Sequence, residues 1–595
     1  MSQQDTKDFA RNFYRASATD FIKIPGSPVA YWASKKVFSI FGGAKRISQI
    51  SSLHRGISTG NTERFSRQWY EVSNSRLCLR ANNRETAKHS KACWFPYNRG
   101  GIFRKWYGLG VDVLDYEDDG RRMVSAAERG ESPGFRHDGA AEYFRPTITW
   151  TALTAGKPSF RLLPPGYVLG HKGSSIRTAD NNRLFLLALL NSKALEYFLE
   201  HISPTLDINI SQISSLPMPG LIDEGRVSQL AQSLVEVSKG DWDSFETSWD
   251  FEELHLLALD RTEGSLAAKY GKLRAHWNEM VIKMQRLEVS LNRLFIKTYA
   301  LEDELDAHVP LEEVTLDCNP HYRYGGKRRE EEYETLLQCD TIRELASFAL
   351  GCMMGRYSLD KPGLILAGQG EVLPDYLRHI PSPLFSPDDD AILPLTDQEW
   401  FSDDATNRFR EFVRVVWGDE HLQENLDFVA ESLCLHAIKP KRGESALDTI
   451  RRYLSTQFYK DHLRTYKKRP IYWLFSSGKH KAFECLVYLH RYNEGTLARM
   501  RTEYVIPLSA KLNVYSEKLE QDKEASTSAA ETKRLEKEIA TLHKQQAELA
   551  EFDEKLRHYA DQRISLDLDD GVKVNYGKFG DLLAEVKAVT GEKPQ

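Results

Sequence analysis

The alternation of apolar and polar residues divides the chain into a strand-rich first part and a helical remainder. Period-two patterns occur at 143–150 and 160–169, whereas apolar residues recur at helical spacing from residue 225 onward. Successive side chains of a strand point to opposite faces, and residues three or four apart share one face of a helix. The pattern therefore predicts strands between residues 45 and 180 and mainly helices after them.

The same pattern places individual elements. A short amphipathic helix is expected to stop at Gly42-Gly43, and an apolar helix over 184–199 is expected to be interrupted at 191–193. The segment from residue 203 to the LPMPG sequence at 216–220 is expected to be extended. Further helices are predicted within four ranges, 225–310, 330–356, 408–416 and 422–435.

A heptad repeat of leucine runs through the last part of the chain, at Leu535, Leu542, Leu549 and Leu556. Such a repeat lines one face of a helix, which either a second chain or a neighbouring helix of the same chain can cover. Gln546 and Asp553 are poor residues for the d positions of an intermolecular coiled coil. We therefore expect a helical arm that docks on its own chain.

Length and composition set the domain count and the class of protein. A chain of 595 residues is too long for one hydrophobic core. No apolar run approaches the roughly 20 residues that a membrane span needs, and seven scattered cysteines without a CxxC pair favour a cytoplasmic protein without a zinc site. The predicted division is a connecting segment at 1–44, a β-rich domain at 45–222, a helical domain at 223–358, a basic, aromatic and mostly helical domain at 359–506, and a helical arm at 507–595.

Positive charge is concentrated in two segments, although the whole chain has a formal net charge of -5. Residues 1–110 contain 19 Lys and Arg against 6 Asp and Glu, and residues 439–501 contain 15 against 5. Two basic, aromatic-rich segments on an otherwise acidic chain predict oriented binding to a polyanion such as DNA. The alternative is that both are the solvated faces of ordinary domains.

The stretch from Trp94 to Asp119 is a candidate for DNA contact. It combines aromatic residues with Arg99, Arg104 and Lys105 around the turn at Gly100-Gly101, and then alternates like a strand. A glycine turn lets the backbone approach a phosphate, and the cations beside it supply the opposite charge. The stretch predicts a DNA-reading loop between strands. A buried aromatic hairpin with solvated arginines is the alternative.

Three further segments have the same character: the loop at 55–61 with the arginines after it, the small basic loop at 170–175, and the block at 451–481, where cations alternate with aromatic residues. Cations at such spacing suit a nucleic-acid backbone, with aromatic side chains as stacking or wedge contacts. The predicted DNA-contacting residues are Arg55, Thr59, Asn61, Arg64, Arg99, Arg104, Lys105, Trp106, Tyr107, Lys172, Lys468, Arg469, Trp473, Lys479 and Lys481.

The sequence contains few candidates for catalysis. Gly478-Lys479 lacks the other residues of a phosphate-binding P-loop, and no HExxH motif occurs. An adenine methyltransferase needs Asn, Asp or Ser followed by two prolines and an aromatic residue, so that polar groups bind the amine of a flipped adenine. Asn319-Pro320-His321-Tyr322 comes nearest, but histidine replaces the second proline, and a turn is the better interpretation.

Seven segments together resemble the C-terminal half of the PglX family, the adenine-specific DNA methyltransferases of BREX phage-defence systems. They are residues 21–34, 55–65, 94–108, 188–219, 351–365, 467–492 and 568–579. The segment 188–219 also resembles the specificity domain of TaqI-like and type IIG methyltransferases. The resemblance implies an α+β fold, with a TaqI-like target-recognition domain followed by a predominantly helical region and a coiled-coil-like arm.

The resemblance also implies a function and its partners. The family's N-terminal methyltransferase domain, with its S-adenosylmethionine and NPPY motifs, has no counterpart among these residues, so the cofactor and the catalytic residues are expected on a separate catalytic half. This chain is then expected to bind double-stranded DNA and to work with that half and with other BREX proteins. The alternative is a protein-interaction component of the defence complex without direct DNA contact.

Overall fold

The computed structural model describes residues 17–152, 156–202, 208–258 and 264–592. The chain forms two compact units, and neither is a continuous stretch of sequence. The first unit comprises Met1–Ser66, Cys78–Trp242 and His276–Gly326, and the second comprises Arg67–Leu77, Asp243–Ala275 and Lys327–Gln595. The division into five consecutive domains stays a prediction.

The strands predicted from the period-two pattern lie in the expected part of the chain. The first eight strands are β1 (Ser51–His54), β2 (Ser66–Gln68), β3 (Trp94–Asn98), β4 (Asp112–Asp115), β5 (Thr147–Trp150), β6 (Phe160–Leu163), β7 (Val168–Leu169) and β8 (Ser175–Thr178). One antiparallel sheet of the first unit has the strand order β1-β8-β5-β6. In a second sheet, β3 pairs antiparallel with β4 and parallel with β7. Because parallel strands end at the same edge, residues 99 and 170 leave the sheet on one side.

The first unit also contains helices. Their bounds are Ala18–Phe21, Lys35–Gly43, Thr62–Phe65, Arg84–His89, Arg121–Glu128, Asp180–Leu190, Lys193–Ile202, Ile210–Ser214, Glu224–Asp243 and Pro320–Tyr324, and residues 276–298 of the helix Leu266–Thr298 also lie in this unit. The helix that ends at Gly43 and the interruption at 191–192 are both confirmed.

The extended segment predicted from residue 203 to the LPMPG sequence is wrong at residues 210–214. Ile210 begins the helix Ile210–Ser214, because the Asn209 side chain accepts a hydrogen bond from Gln212 N, and the Gln212 side chain accepts one from Asn209 N. This reciprocal capping satisfies two amides that would otherwise lack partners at the start of a helix. Residues 203–207 of the predicted segment lie outside the described ranges.

The second unit contains one small antiparallel sheet with the order β10-β11-β9, formed by β9 (Ile392–Pro394), β10 (Tyr472–Ser476) and β11 (Glu484–Tyr488). Its α-helices are His255–Ala258, Glu330–Met353, Leu373–His379, Ala405–Trp417, Leu422–His436, Ala446–Tyr453, Tyr459–Thr465, Thr496–Arg499, Ile506–Ala525, Ala529–Asp561, Val572–Gly577 and Val586–Thr590, with residues 266–275 of the long helix. The chain is therefore a mixed α and β protein, as predicted, and its sheets are small.

The helices Ile506–Ala525 and Ala529–Asp561 form an antiparallel hairpin within the chain, so the predicted intramolecular arm is confirmed. All four heptad leucines are buried. The two poor d residues have polar partners across the hairpin: Gln546 donates to the Asn513 side chain over 2.9 Å, and Arg501 pairs with Asp553 over 2.8 Å. Among the helices that the structure describes, none is long and apolar enough to cross a membrane.

Candidate nucleic-acid interface

The aromatic stretch forms the predicted hairpin, but its aromatic side chains face inward. All five residues of β3 are buried, and Phe95 packs edge-on against Phe144 with ring centroids 5.6 Å apart. Trp106 and Tyr107 are also buried, and the Trp106 indole donates to Glu288 over 2.6 Å. For the aromatic residues the structure thus agrees with the alternative of a buried hairpin.

Arg104 and Lys105 are buried as well and form ion pairs inside the first unit. Arg104 pairs with Asp241 over 2.9 Å and with Asp317 over 2.7 Å, while only 1% of its side chain is exposed. Burial opposes the charged form, but the two carboxylates outweigh it and hold the pKa of Arg104 above its ordinary value. Lys105 pairs with Glu288. Both cations are therefore engaged by carboxylates inside the unit, and neither side chain is free for a phosphate in this conformation.

Two of the predicted basic loops meet at the edge where β3 and β7 end. Ile57 N donates to Leu169 O over 2.8 Å, and His171 N donates to Ile57 O over 2.9 Å. A third segment joins them, because Ser58 and Arg136 exchange two backbone hydrogen bonds of 2.9 Å. The structure thus brings together the loops 55–61 and 170–175, which are separate in the sequence.

Glycines at this edge permit close contact between backbones. A Cβ on Gly56 would lie 1.8 Å from Leu169 O, and a Cβ on Gly139 would lie 2.4 Å from Arg55 O. No side chain larger than hydrogen fits at either position. The glycines of the 55–61 loop therefore serve packing, and the amides of Ile57 and Ser58 donate to carbonyls of the protein rather than to a phosphate.

Exposed cations surround His171 at this edge. Arg55, Arg136 and Lys172 are exposed, and the three charges act on the His171 ring together with Asp138. Burial first, and then Arg136 and Arg55, lower the pKa of His171, while Asp138 opposes them. The Nδ1 atom of His171 is buried and has no hydrogen-bond partner within the described ranges. We call Arg55, Arg136, His171 and Lys172 the basic cluster.

Arg99 extends this basic edge. A Cβ on Gly100, the next residue, would lie 3.3 Å from Lys172 O. The Arg99 side chain is 45% exposed and lies 3.3 Å from Asp112. A surface pair of this kind contributes little to stability, so the guanidinium can exchange a carboxylate for a phosphate at small cost.

Thr59 and Asn61 in the 55–61 loop, and Arg64 just after it, have local partners. The hydroxyl of buried Thr59 lies 3.0 Å from that of Thr62, and the Asn61 side chain accepts from Arg64 N to cap a short helix. Arg64 pairs with Glu131 over 2.7 Å. Of these three residues, only Arg64 has an exposed side chain for an intermolecular contact.

The second basic block lies in the second unit and is divided between core and surface. Trp473 is buried on β10, where its indole donates to Pro470 O over 2.9 Å and packs against Tyr576 and Phe579. Lys468 is exposed, and half-buried Arg469 lies 3.8 Å from Glu71. The block therefore offers surface charge without the predicted stacking by Trp473.

The turn of the β10–β11 hairpin contains Lys479 and Lys481, and it is held by a carboxylate. Glu548 accepts hydrogen bonds from His480 N over 2.6 Å, from Ala482 N over 3.2 Å and from the Ser477 hydroxyl over 2.7 Å. Lys481 pairs with Glu484 over 2.8 Å, whereas Lys479 is exposed. The turn amides are thus engaged by the protein itself.

Arg136 and His171 belong to the basic cluster but were missed as site residues. Arg136 lies in a short segment flanked by Gly134 and Gly139. This glycine spacing is the sequence feature that could have indicated Arg136 as a site residue. His171 lies inside the basic loop that the sequence did indicate. Its significance depends on Arg55 and Arg136, which only the fold brings near it.

Asn319, the residue nearest to an adenine-binding motif, is engaged inside the first unit. Its amide nitrogen donates to Leu311 O and Val314 O over 2.8 Å each, and its oxygen accepts from His321 N over 3.2 Å. The side chain caps a short helix and is fully buried, so it does not fit the role of holding a flipped adenine.

The chain is homologous to adenine-specific methyltransferases. It is 43% identical over 588 residues to the adenine-specific methyltransferase BrxX of Escherichia coli O9:H4 (strain HS), an alignment that covers 98% of this chain and 47% of the relative. It is 38% identical over 577 residues to the adenine-specific methyltransferase PglX of Lacticaseibacillus casei (strain Zhang), covering 95% of this chain and 45% of the relative. The chain thus spans about half the length of these curated relatives. No protein-family model matches it.

Proposed function

We propose that this chain is the DNA-binding, target-recognition part of a BREX-type adenine-specific DNA methyltransferase. In this proposal its first unit has a TaqI-like recognition role, and a separate catalytic half supplies S-adenosylmethionine and the methyl-transfer chemistry. The main support is the convergence of Arg55, Arg136 and Lys172 at one edge of the first unit. The names of the two relatives support the methyltransferase context.

The exposed cations fit a phosphate backbone better than a small ligand. Three separate segments present them, and Arg99 extends the same edge. Phosphate contacts position a protein on DNA, whereas contacts to base edges select the sequence. Arginine can also pair with guanine in the major groove. We therefore assign the basic edge a positioning role, with Arg99 and Arg64 as candidates for further contacts.

Duplex DNA binding across a salt series tests the proposal. Each phosphate contact contributes a slope of about -0.9 to the dependence of log affinity on log salt. Replacing Arg55 and Lys172 by Gln is expected to weaken binding and to reduce the slope by about 2. Arg121→Gln is the matched control, because Arg121 is 68% exposed on a helix of the same unit. A flat salt response of the wild-type chain would count against DNA binding.

A protein-interaction component is the second candidate function. Its support is a run of exposed large apolar side chains near the start of the described chain, namely Ile22, Val29, Tyr31 and Trp32. Apolar groups clustered at a surface are typical of protein contacts. Binding of a purified methyltransferase half, without any retention of DNA by either protein, would favour this candidate.

A further inference from the structure

We propose that Arg55, Arg136, His171 and Lys172 form one phosphodiester-binding subsite, in which His171 takes up a proton when the phosphate binds. The inference rests on the DNA-binding function proposed above. It adds Arg136 and His171, which were not among the predicted DNA-contacting residues, and a protonation step that couples DNA affinity to pH.

The backbone holds the four residues in place before any ligand arrives. His171 N donates to Ile57 O, and Arg136 N donates to Ser58 O, with both bonds 2.9 Å long. The close approach at Gly56 and Gly139 leaves little room for these segments to shift. A preformed site spends less free energy on ordering when a ligand binds.

Burial, and then the charges around His171, disfavour the protonated form of the ring in the free protein. The charged groups that act on the ring are Arg55, Arg136, Lys172 and Asp138, three cations against one carboxylate. Asp138 lies 3.9 Å from Arg136, and both side chains are about half exposed. Together with burial, the cations lower the pKa of His171. The ring also has a buried Nδ1 with no hydrogen-bond partner among the described residues.

A phosphodiester bound among these cations shifts the equilibrium of His171 toward its protonated form. Its negative charge offsets the repulsion from Arg55 and Arg136, and a nearby negative charge favours the protonated imidazole. Linkage between two binding events is reciprocal, so phosphate binding raises the proton affinity of His171, and protonation of His171 raises the affinity for phosphate. DNA affinity should therefore increase as the pH falls.

The pH dependence of duplex binding at constant ionic strength tests the proposal. For the wild-type chain, the gain in affinity between pH 8 and pH 6 should exceed that of His171→Gln by up to about tenfold, because one unit of pKa shift changes affinity by at most tenfold. His89→Gln serves as the matched control. His89 is 73% exposed on a helix outside the cluster, so its loss should leave the wild-type profile unchanged.

Calorimetry gives a second test, which measures proton uptake directly. Binding enthalpies measured near pH 7 in two buffers with different ionisation enthalpies report the number of protons taken up. Net uptake on adding the duplex supports the proposal, as does its loss in His171→Gln. No uptake, or identical pH profiles for wild type and His171→Gln, would overturn it while leaving DNA binding intact. Absence of binding at every pH would instead defeat the proposed function and this inference with it.

Discussion

The Arg104 guanidinium depends on two acids for its place in the interior of the first unit. Asp241 is fully buried and also accepts backbone hydrogen bonds from Asp317 N and Cys318 N. Arg104 further donates to Tyr107 O over 2.8 Å and stacks on Trp242. Removing one member of a buried ion pair leaves the other charge uncompensated, which costs more than the pair contributes to stability.

Arg104→Met is therefore expected to lower the free energy of unfolding by about 3–5 kcal/mol. Thermal or urea unfolding of the full chain measures the effect. Arg99→Met is the control, because its side chain is 45% exposed and its pair with Asp112 is a surface pair, so its loss should change stability by less than about 1 kcal/mol. Equal effects of the two substitutions would contradict the structural role of Arg104.

Asp390 makes the stability of the second unit depend on pH. Burial, together with the hydrogen bond and charge of Asp388, raises the pKa of Asp390 to about 8. The folded state therefore keeps a proton that the unfolded carboxyl, with a pKa of about 3.9, gives up. The stability from this group is fully present below pH 4 and is lost as the pH rises toward 8.

Asp390→Asn should remove this loss of stability at high pH, because an amide does not ionise. Its oxygen can still accept the 2.8 Å hydrogen bond from Ile392 N. The variant is expected to unfold at a higher temperature than wild type at pH 8 and at a similar temperature at pH 4. Unfolding of both proteins across this pH range measures the difference. A wild-type advantage at pH 8 would show that the ionised carboxylate stabilises the fold.

The types of charged residue at the candidate site could be predicted from the sequence, but their exposure could not. Arg104 and Lys105 look like surface cations because their neighbours in the sequence include no acid. Their partners Asp241 and Glu288 lie well over a hundred residues further along the chain. Burial of a cation is decided by such distant carboxylates, and no local pattern contains them.

Among the elements, the helical arm was predictable because its signal is local and periodic. The buried heptad leucines repeat along one helix, and the polar d residues indicated a partner within the chain. The parallel pairing of β3 with β7, in contrast, has no local signal in the sequence. It joins residues about 70 positions apart in the sequence, and Tyr97 gives no local sign that Val168 lies beside it. The basic edge depends on this pairing, so it could not be predicted either.

The arm also holds the hairpin turn of the small sheet through Glu548. Glu548→Ala removes the acceptor of three hydrogen bonds, two of them from the turn amides of His480 and Ala482. Hydrogen bonds to charged groups contribute about 1.5–3 kcal/mol each. We expect amide hydrogen exchange in the turn to accelerate by at least about tenfold, while the helices keep their protection.

Two variants make this measurement specific. Glu548→Gln keeps an acceptor oxygen and should give intermediate exchange. Glu551→Ala removes an exposed carboxylate from the same helix and should leave the turn unchanged. If Glu548→Ala exchanged like wild type, the turn would be held by the sheet alone.

At the scale of the whole molecule, each unit is built from segments that are not consecutive in the sequence. Residues 67–77 belong to the second unit although the chain on both sides of them belongs to the first. Composition shifts and proline-rich stretches are local features of the sequence. They can therefore indicate only domains that follow one another along the chain. A chain that leaves a unit and later returns to it can be recognised only from contacts between residues that are far apart in the sequence.

The last prediction concerns the proposed separation of DNA binding, by this chain, from catalysis, by another half. If catalysis belongs to a separate half, the purified chain should bind duplex DNA but should show no binding of S-adenosylmethionine in calorimetry and no adenine methylation. The engaged side chain of Asn319 motivates this expectation. Adding a methyltransferase half that binds S-adenosylmethionine should restore N6-adenine methylation at a defined sequence, and Arg55→Gln with Lys172→Gln should lower its rate at limiting DNA. Tight binding of S-adenosylmethionine by this chain alone would instead place the cofactor site among its own residues.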